Sequence, residues 1–261
     1  MEENKNALIN LIPEAVDNAA KNLSGPITKS IGTTLDDIWY LVFGKISQNA
    51  NIRKLKYASE LQKFEEELKE KVSGIPEEKL VEPDMQIIGP ILDASKYCIE
   101  KVDIRQMFST LIESSLNIDY CEYVHPSYVE IIKQMSPLDA RIFKIIMSVS
   151  RRPIISIEIQ DLSGGLVPFC RNCSWITEYT IAQCTASFES LSRLGLIDID
   201  RDAHYIHKTL YNPVRENPHF IKAQTECLSG LKVGEKIYFR EQYIAINELT
   251  DSFYKVCINE S

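Results

Sequence analysis

Along much of this chain apolar residues recur three or four apart, the spacing that gives a helix one buried stripe. Ala7, Leu8, Leu11, Ile12, Ala15 and Ala19 predict a first helix over 4–23, stopped by Gly25-Pro26. A second is predicted over 35–46, with Thr34 as N-cap and Asp36 and Asp37 facing the positive end of the macrodipole. Its centre, Ile38 to Phe43, is apolar on nearly every side, the pattern of a buried helix rather than a surface one. The most regular stretch is 51–72. There Tyr57, Leu61, Phe64, Leu68 and Val72 form one face and alternating Lys and Glu the other, until Gly74 and Pro76 end it. Helices are also predicted over 84–101 and 103–116, the first interrupted or begun at Gly89-Pro90 and the second capped by Asp103. Pro126 and Pro137 each open another, at a position where the missing N–H costs nothing.

After Pro153 the period changes from 3.6 to 2. Ile155, Ile157 and Ile159 alternate with Ser156 and Glu158, which predicts a half-buried strand. A Gly164-Gly165 loop follows, then a helix over 178–194 closed by Gly195, a strand at Leu196–Ile199 and another over 236–246. Residues 250–257 suit a short closing helix. The stretch 201–233 has no clear period. Helix, strand, helix and strand pair, with the second helix ending in Leu194-Gly-Leu-Ile197, is the order of a winged-helix domain. The expected fold class is therefore mainly α (α+β): a helical bundle over 1–135, then a winged-helix-like domain over 136–261.

Composition narrows the function classes. At 261 residues, 44% hydrophobic and 25% charged, the chain is an ordinary globular one. No apolar run approaches the roughly 18 residues of a spanning helix, and two Glu precede the first Lys, unlike a secretory leader. Seven Cys is an odd number, and most are scattered, so reduced cytoplasmic thiols are expected rather than a disulfide framework. Net charge is −8. Residues 1–136 carry −7 (15 Lys and Arg, 22 Asp and Glu) and residues 137–261 carry −1 (14 against 15). Neither half is the basic footprint of a nucleic-acid binder.

Several groups invite a chemical reading. Cys170 and Cys173 have the spacing of half a zinc site, and His204 and His207 could complete a Cys2His2 set, although His-x-x-His is tighter than finger spacing. A redox role for the pair lacks the strand-to-helix setting of a βαβ unit. His125, with Ser127 beside it, lacks an orienting partner, and His125-Pro126-Ser127 reads as a helix start. With Tyr128 it marks a possible contact surface. If the 178–194 helix entered a DNA groove, Gln183 and Arg193 with Arg151 and Arg152 would be its contacts, but Glu178 and Glu189 would face phosphates. Phosphate-loop and dinucleotide glycine patterns are absent. No catalytic set and no cofactor are expected.

Four stretches resemble the abortive-infection alpha family, bacterial proteins associated with defence against phage. They are Gly32-Thr-Thr-Leu-Asp-Asp-Ile-Trp39; Pro90-Ile-Leu-Asp-Ala94 with Ile104-Arg-Gln-Met-Phe108 and Leu111; Val124-His-Pro-Ser-Tyr-Val-Glu-Ile-Ile-Lys-Gln-Met-Ser-Pro-Leu-Asp-Ala140; and Leu194-Gly-Leu-Ile197 with Leu249-Thr250 and Phe253. The third is the most specific. The chain departs at Asp251-Ser252, where the family commonly carries a Gly. The resemblance implies a role in which infected cells stop growing or die before phage mature, and brings no catalytic residues with it. The expected function is non-enzymatic anti-phage defence through protein contacts, with self-association and a membrane-active 35–46 helix as open forms. The alternative is a winged-helix DNA-binding regulator.

Overall fold

The computed structural model describes residues 52–82 and 84–258. The helices expected over 4–23 and 35–46, and the Gly32–Trp39 stretch, lie outside them. The described chain is mainly α with a small antiparallel sheet. It divides into two compact units: described residues up to Pro137 together with those from Ser252, and Leu138–Asp251.

The first unit is helical. Helix α1 (Ile52–Ser73) turns Leu61 and Phe64 inward, as its period requires, and packs on α3 (Val102–Ser115), whose Ile104, Met107, Phe108 and Leu111 are buried. Between them α2 (Met85–Ser95) begins at an Asp84 cap, whose carboxylate accepts the Gln86 N–H at 2.8 Å. Pro90 lies inside α2 rather than at its start, and α2 ends at Ser95, short of the expected 101. Asp103 is not the N-cap of α3, which is Lys101; it sits in the first turn, where its charge suits the positive helix end. One cation is buried here. Arg105, 4% exposed, forks onto Glu67 (Nη2 to Oε1 2.7 Å), reaches Glu60 at 2.5 Å and donates to the Ile99 carbonyl at 3.0 Å. Helix α4 (Ser127–Gln134) completes this part of the unit, with Val129 and Ile132 buried.

In the second unit α5 (Pro137–Met147, its first residue the last of the first unit) leads into β1 (Pro153–Gln160), β2 (Leu166–Ser174), α6 (Ile181–Arg193), α7 (Asn212–Arg215), α8 (Pro218–Gly230) and β3 (Lys236–Tyr243). The sheet order is β2-β1-β3, both pairs antiparallel. β1 is central, and six successive residues from Pro153 are buried, so it is not the half-buried strand its alternation suggested. Its polar positions are inside because they are satisfied. Ser156 Oγ accepts the Asn172 N–H at 3.1 Å, and Glu158 takes a two-pronged bond from Arg240 at 2.9 and 3.1 Å. Ile155 and Ile157 face a core of Cys173, Tyr211, Val214, Phe220 and Cys227.

The winged-helix order is not what the chain adopts. The hairpin β1–β2 precedes α6 instead of following it, and 196–199 contributes only an isolated bridge, Asp198 to Ala245. Helix α6 starts later than expected, at a capping box in which Thr180 and Gln183 satisfy each other's backbone N–H, and ends on Gly195 at φ +75°. The closing helix α9 (Glu248–Cys257) begins among the residues of the second unit and ends among those of the first. In the first unit Tyr128 stands edge-on to Phe253, centroids 5.3 Å apart, and Ser114 donates to the Val256 carbonyl at 3.0 Å.

Candidate functional site

The second unit carries an open cleft of about 560 Å³, built where residues 150–152 between α5 and β1, residues 204–210, and residues 243–246 at the end of β3 meet. Three backbone facts shape it. The Ile244 N–H donates to the Arg152 carbonyl, the Arg152 N–H donates to the Tyr205 hydroxyl at 3.1 Å, and the Tyr205 N–H donates to the Tyr211 hydroxyl at 2.9 Å. Tyr205 thereby becomes a rigid wall. It stacks on Tyr243 at 4.7 Å and 20°, while the Arg151 guanidinium lies 5.8 Å from its ring centre.

The cleft's charge is positive. Arg151 is exposed, and no described carboxylate lies within ion-pair distance of Arg151 or Arg152. The nearby carboxylate of Glu241 is already bound by Lys208 and Arg215. Burial pulls the Arg152 guanidinium below its ordinary value, with Tyr205 and Asp251 opposing that shift, and its Nε is fixed on the Ile146 carbonyl at 2.7 Å. His204 and His207 are exposed on the lip with Ile206 between them, 87% exposed. The His204 Nδ1 lies 3.2 Å from the Asp202 carbonyl, a contact that requires its proton there. Paired cations, imidazoles, an aromatic wall and one free aliphatic side chain can grip an anionic group and bury a small apolar one.

The Cys2His2 set that the spacing left open is not assembled. Cys170 and Cys173 lie on β2 against the core, His204 and His207 on the cleft lip, and among the described residues no three His, Cys, Asp or Glu converge as a metal requires. The two sulfurs do meet each other, at 3.5 Å.

The His125 block behaves as a helix start. Nδ1 of His125 accepts the Ser127 N–H at 3.1 Å and lies 2.7 Å from the Ser127 hydroxyl, which serves one of the orphan donors of α4. Tyr128 cannot join an exposed contact surface as expected, because it is 3% exposed and packed on Phe253; His125 and Ser127 remain at the surface. Of the expected DNA contacts, Arg151 and Arg152 line the cleft, whereas Gln183 is engaged in its own helix cap and Arg193 lies at the far end of α6, outside the cleft lining. Sequence reading did not pick out Tyr205 or Tyr243. The one available signal was Tyr205 standing between His204 and His207.

A family profile described as "abortive infection alpha" matches residues 56–257. No curated protein and no solved structure matches the chain.

Proposed function

The chain belongs to the abortive infection alpha family, and from that premise we propose that it acts in defence against phage by binding a partner, not by a reaction of its own. The observation that carries the binding half is the cleft of the second unit. It holds two arginines with no carboxylate of the described residues at ion-pair distance, in a chain whose net charge is −8. Desolvating unpaired cations is unfavourable unless a partner anion arrives, so such a cleft favours an occupant that brings one. An acidic peptide segment with one apolar residue fits the arginines, the imidazoles and Ile206 together.

All seven cysteines are free thiols, which agrees with a reducing compartment, and we place the protein in the cytoplasm. A membrane-active helix over 35–46, left open as a form of the activity, lies outside the described residues; among those described, no helix is long and apolar enough to cross a membrane.

The test is plaque formation by a broad phage panel on a host expressing the chain, the Arg151→Glu variant or neither. Arg151 is the residue to reverse, since it is exposed and makes no backbone bond that Arg152-like anchoring would lose. The native chain should lower plaque counts, and Arg151→Glu should restore them while its circular dichroism stays native. No protection by the native chain against any phage would overturn the defence reading. Full protection by Arg151→Glu would overturn the cleft as the contact site.

A further inference from the structure

We propose that Cys170 and Cys173 are a redox-modification site, a dithiol that closes to a disulfide on exchange with a low-molecular-weight disulfide and reopens on reduction. Residues three apart on a regular strand point to opposite faces, so this spacing should separate the sulfurs. β2 defeats that rule with a bulge. Ile155 of β1 lies opposite Cys173 and Ile157 opposite Cys170, so two steps of β1 face three of β2. The extra residue is absorbed at Asn172, which adopts φ +54° and is held by the Ser156 hydroxyl on its N–H at 3.1 Å. Both cysteines therefore share the face of Ile155 and Ile157, with their sulfurs 3.5 Å apart. A disulfide bond of about 2.05 Å needs a further approach of roughly 1.5 Å, within reach of side-chain rotation.

The pair is also unequal in the way exchange requires. Cys170 is partly exposed on an edge strand, whereas Cys173 is 1% exposed beneath it. The sulfur–sulfur hydrogen bond holds Cys170 below the ordinary thiol value, and that same bond, with burial behind it, pushes Cys173 up. In the first step the Cys170 thiolate attacks one sulfur of the small disulfide, giving a mixed disulfide and expelling one small thiolate. In the second, Cys173 loses its proton to solvent and attacks Cys170 Sγ, forming the protein disulfide and expelling the second small thiolate. Two protein thiols are oxidised and one small disulfide is reduced to two thiols. In a reducing cell the dithiol is the resting form, and the disulfide marks a shift of the small-thiol pool.

The full chain supplies its own controls, since Cys98 and Cys121 are also partly exposed but have no cysteine in contact. Native protein is incubated with oxidised glutathione, quenched by acid at intervals and mapped by peptide mass spectrometry, with circular dichroism confirming the fold. The expected product is a 170–173 link without bound glutathione. It should form on the order of tenfold faster than adduct at Cys98 or Cys121 and be reversed by dithiothreitol. Cys173→Ala should leave Cys170 as a persistent mixed disulfide, and Cys170→Ser, the gentler change, should abolish the link. Equal rates at Cys98, Cys121 and Cys170, a stable glutathione adduct on native Cys170, or a link from Cys170 to Cys227 would each overturn the proposal. None of these outcomes depends on the defence reading.

Discussion

Replacing Arg105 by Met keeps the length and apolar stem of the side chain and removes its charge and fork. In the native unit this guanidinium is 4% exposed and makes contacts with Glu67, Glu60 and the Ile99 carbonyl. Without it, two carboxylates on one face of α1 lose their cation and a backbone acceptor loses its donor. Breaking a buried pair by removing one member costs about 3–5 kcal/mol. Here the side chains of Glu60 and Glu67 are 14% and 27% exposed and can recover part of their hydration, so roughly 2–4 kcal/mol is the reasoned loss. That is about one and a half to three decades in the opening equilibrium. Hydrogen exchange read by peptide reports it locally. Amides of α1 and α3 should exchange faster by that factor, with those of β1 unchanged. Arg105→Lys, which keeps charge but cannot fork, should recover about half of the loss. The Lys63 and Arg105 bonds hold the Glu60 carboxyl below its ordinary value. A depressed carboxyl contributes stability above its unfolded value and loses it as pH falls through the folded one. The gap between native and Arg105→Met should therefore narrow in acid. A loss under about 1 kcal/mol, or a gap constant with pH, would refute the reasoning.

Three further outcomes follow from single side chains. Asn217 caps α8 through its carbonyl oxygen (His219 N–H at 2.9 Å) while its amide donates to the Ser174 and Ile176 carbonyls at 2.9 and 2.8 Å, so Asn217→Ala should cost roughly 2–4 kcal/mol in urea unfolding, and a cost of a few tenths would deny the cap any role. Gly234 sits at φ +90°, and a Cβ there would run into the Leu162 side chain. Gly234→Ala should lower stability by about 1–3 kcal/mol, and Gly234→Ala with Leu162→Ala should recover only the steric share, because the backbone strain persists; full recovery would refute the strain. Asp161 accepts the Ser163 hydroxyl and the Ser163 and Gly165 N–H groups, all lowering its carboxyl value, so the order of this turn belongs to neutral pH and is lost as acid titrates that carboxylate. The Gly165 amide shift followed by NMR should titrate below the ordinary Asp range, and Asp161→Asn should abolish the transition.

Where the period is unbroken the sequence was legible. Residues 51–72 and the observed Ile52–Ser73 differ by a residue at each end, because one clean stripe, a charged outer face and Gly74 all point the same way. β2 was missed for a physical reason: Leu166–Ser174 contains Pro168 and two bulges, and a bulge shifts the alternation that marks a strand. β1 was recognised as a strand but placed on the wrong kind of surface, since Ser156 and Glu158 look solvent-facing until Asn172 and Arg240 supply their bonds. The cleft was the least legible. Its arginines drew notice as DNA contacts, but the Tyr205–Tyr243 stack joins residues far apart in the chain, and neither has a local pattern announcing the other.

The closing helix has a consequence for how the protein is made. Phe253, Val256 and Cys257 are almost wholly buried, and they belong with helices that left the ribosome well over a hundred residues earlier. A nascent chain that has emerged as far as Asp251 holds every residue of the second unit, while Tyr128 still waits for Phe253 and Ser114 for its acceptor. Folding along the growing chain is therefore out of step with sequence order. The later-coded unit can be complete first, and the earlier one remains open to chaperones until the residues through Cys257 have left the ribosome.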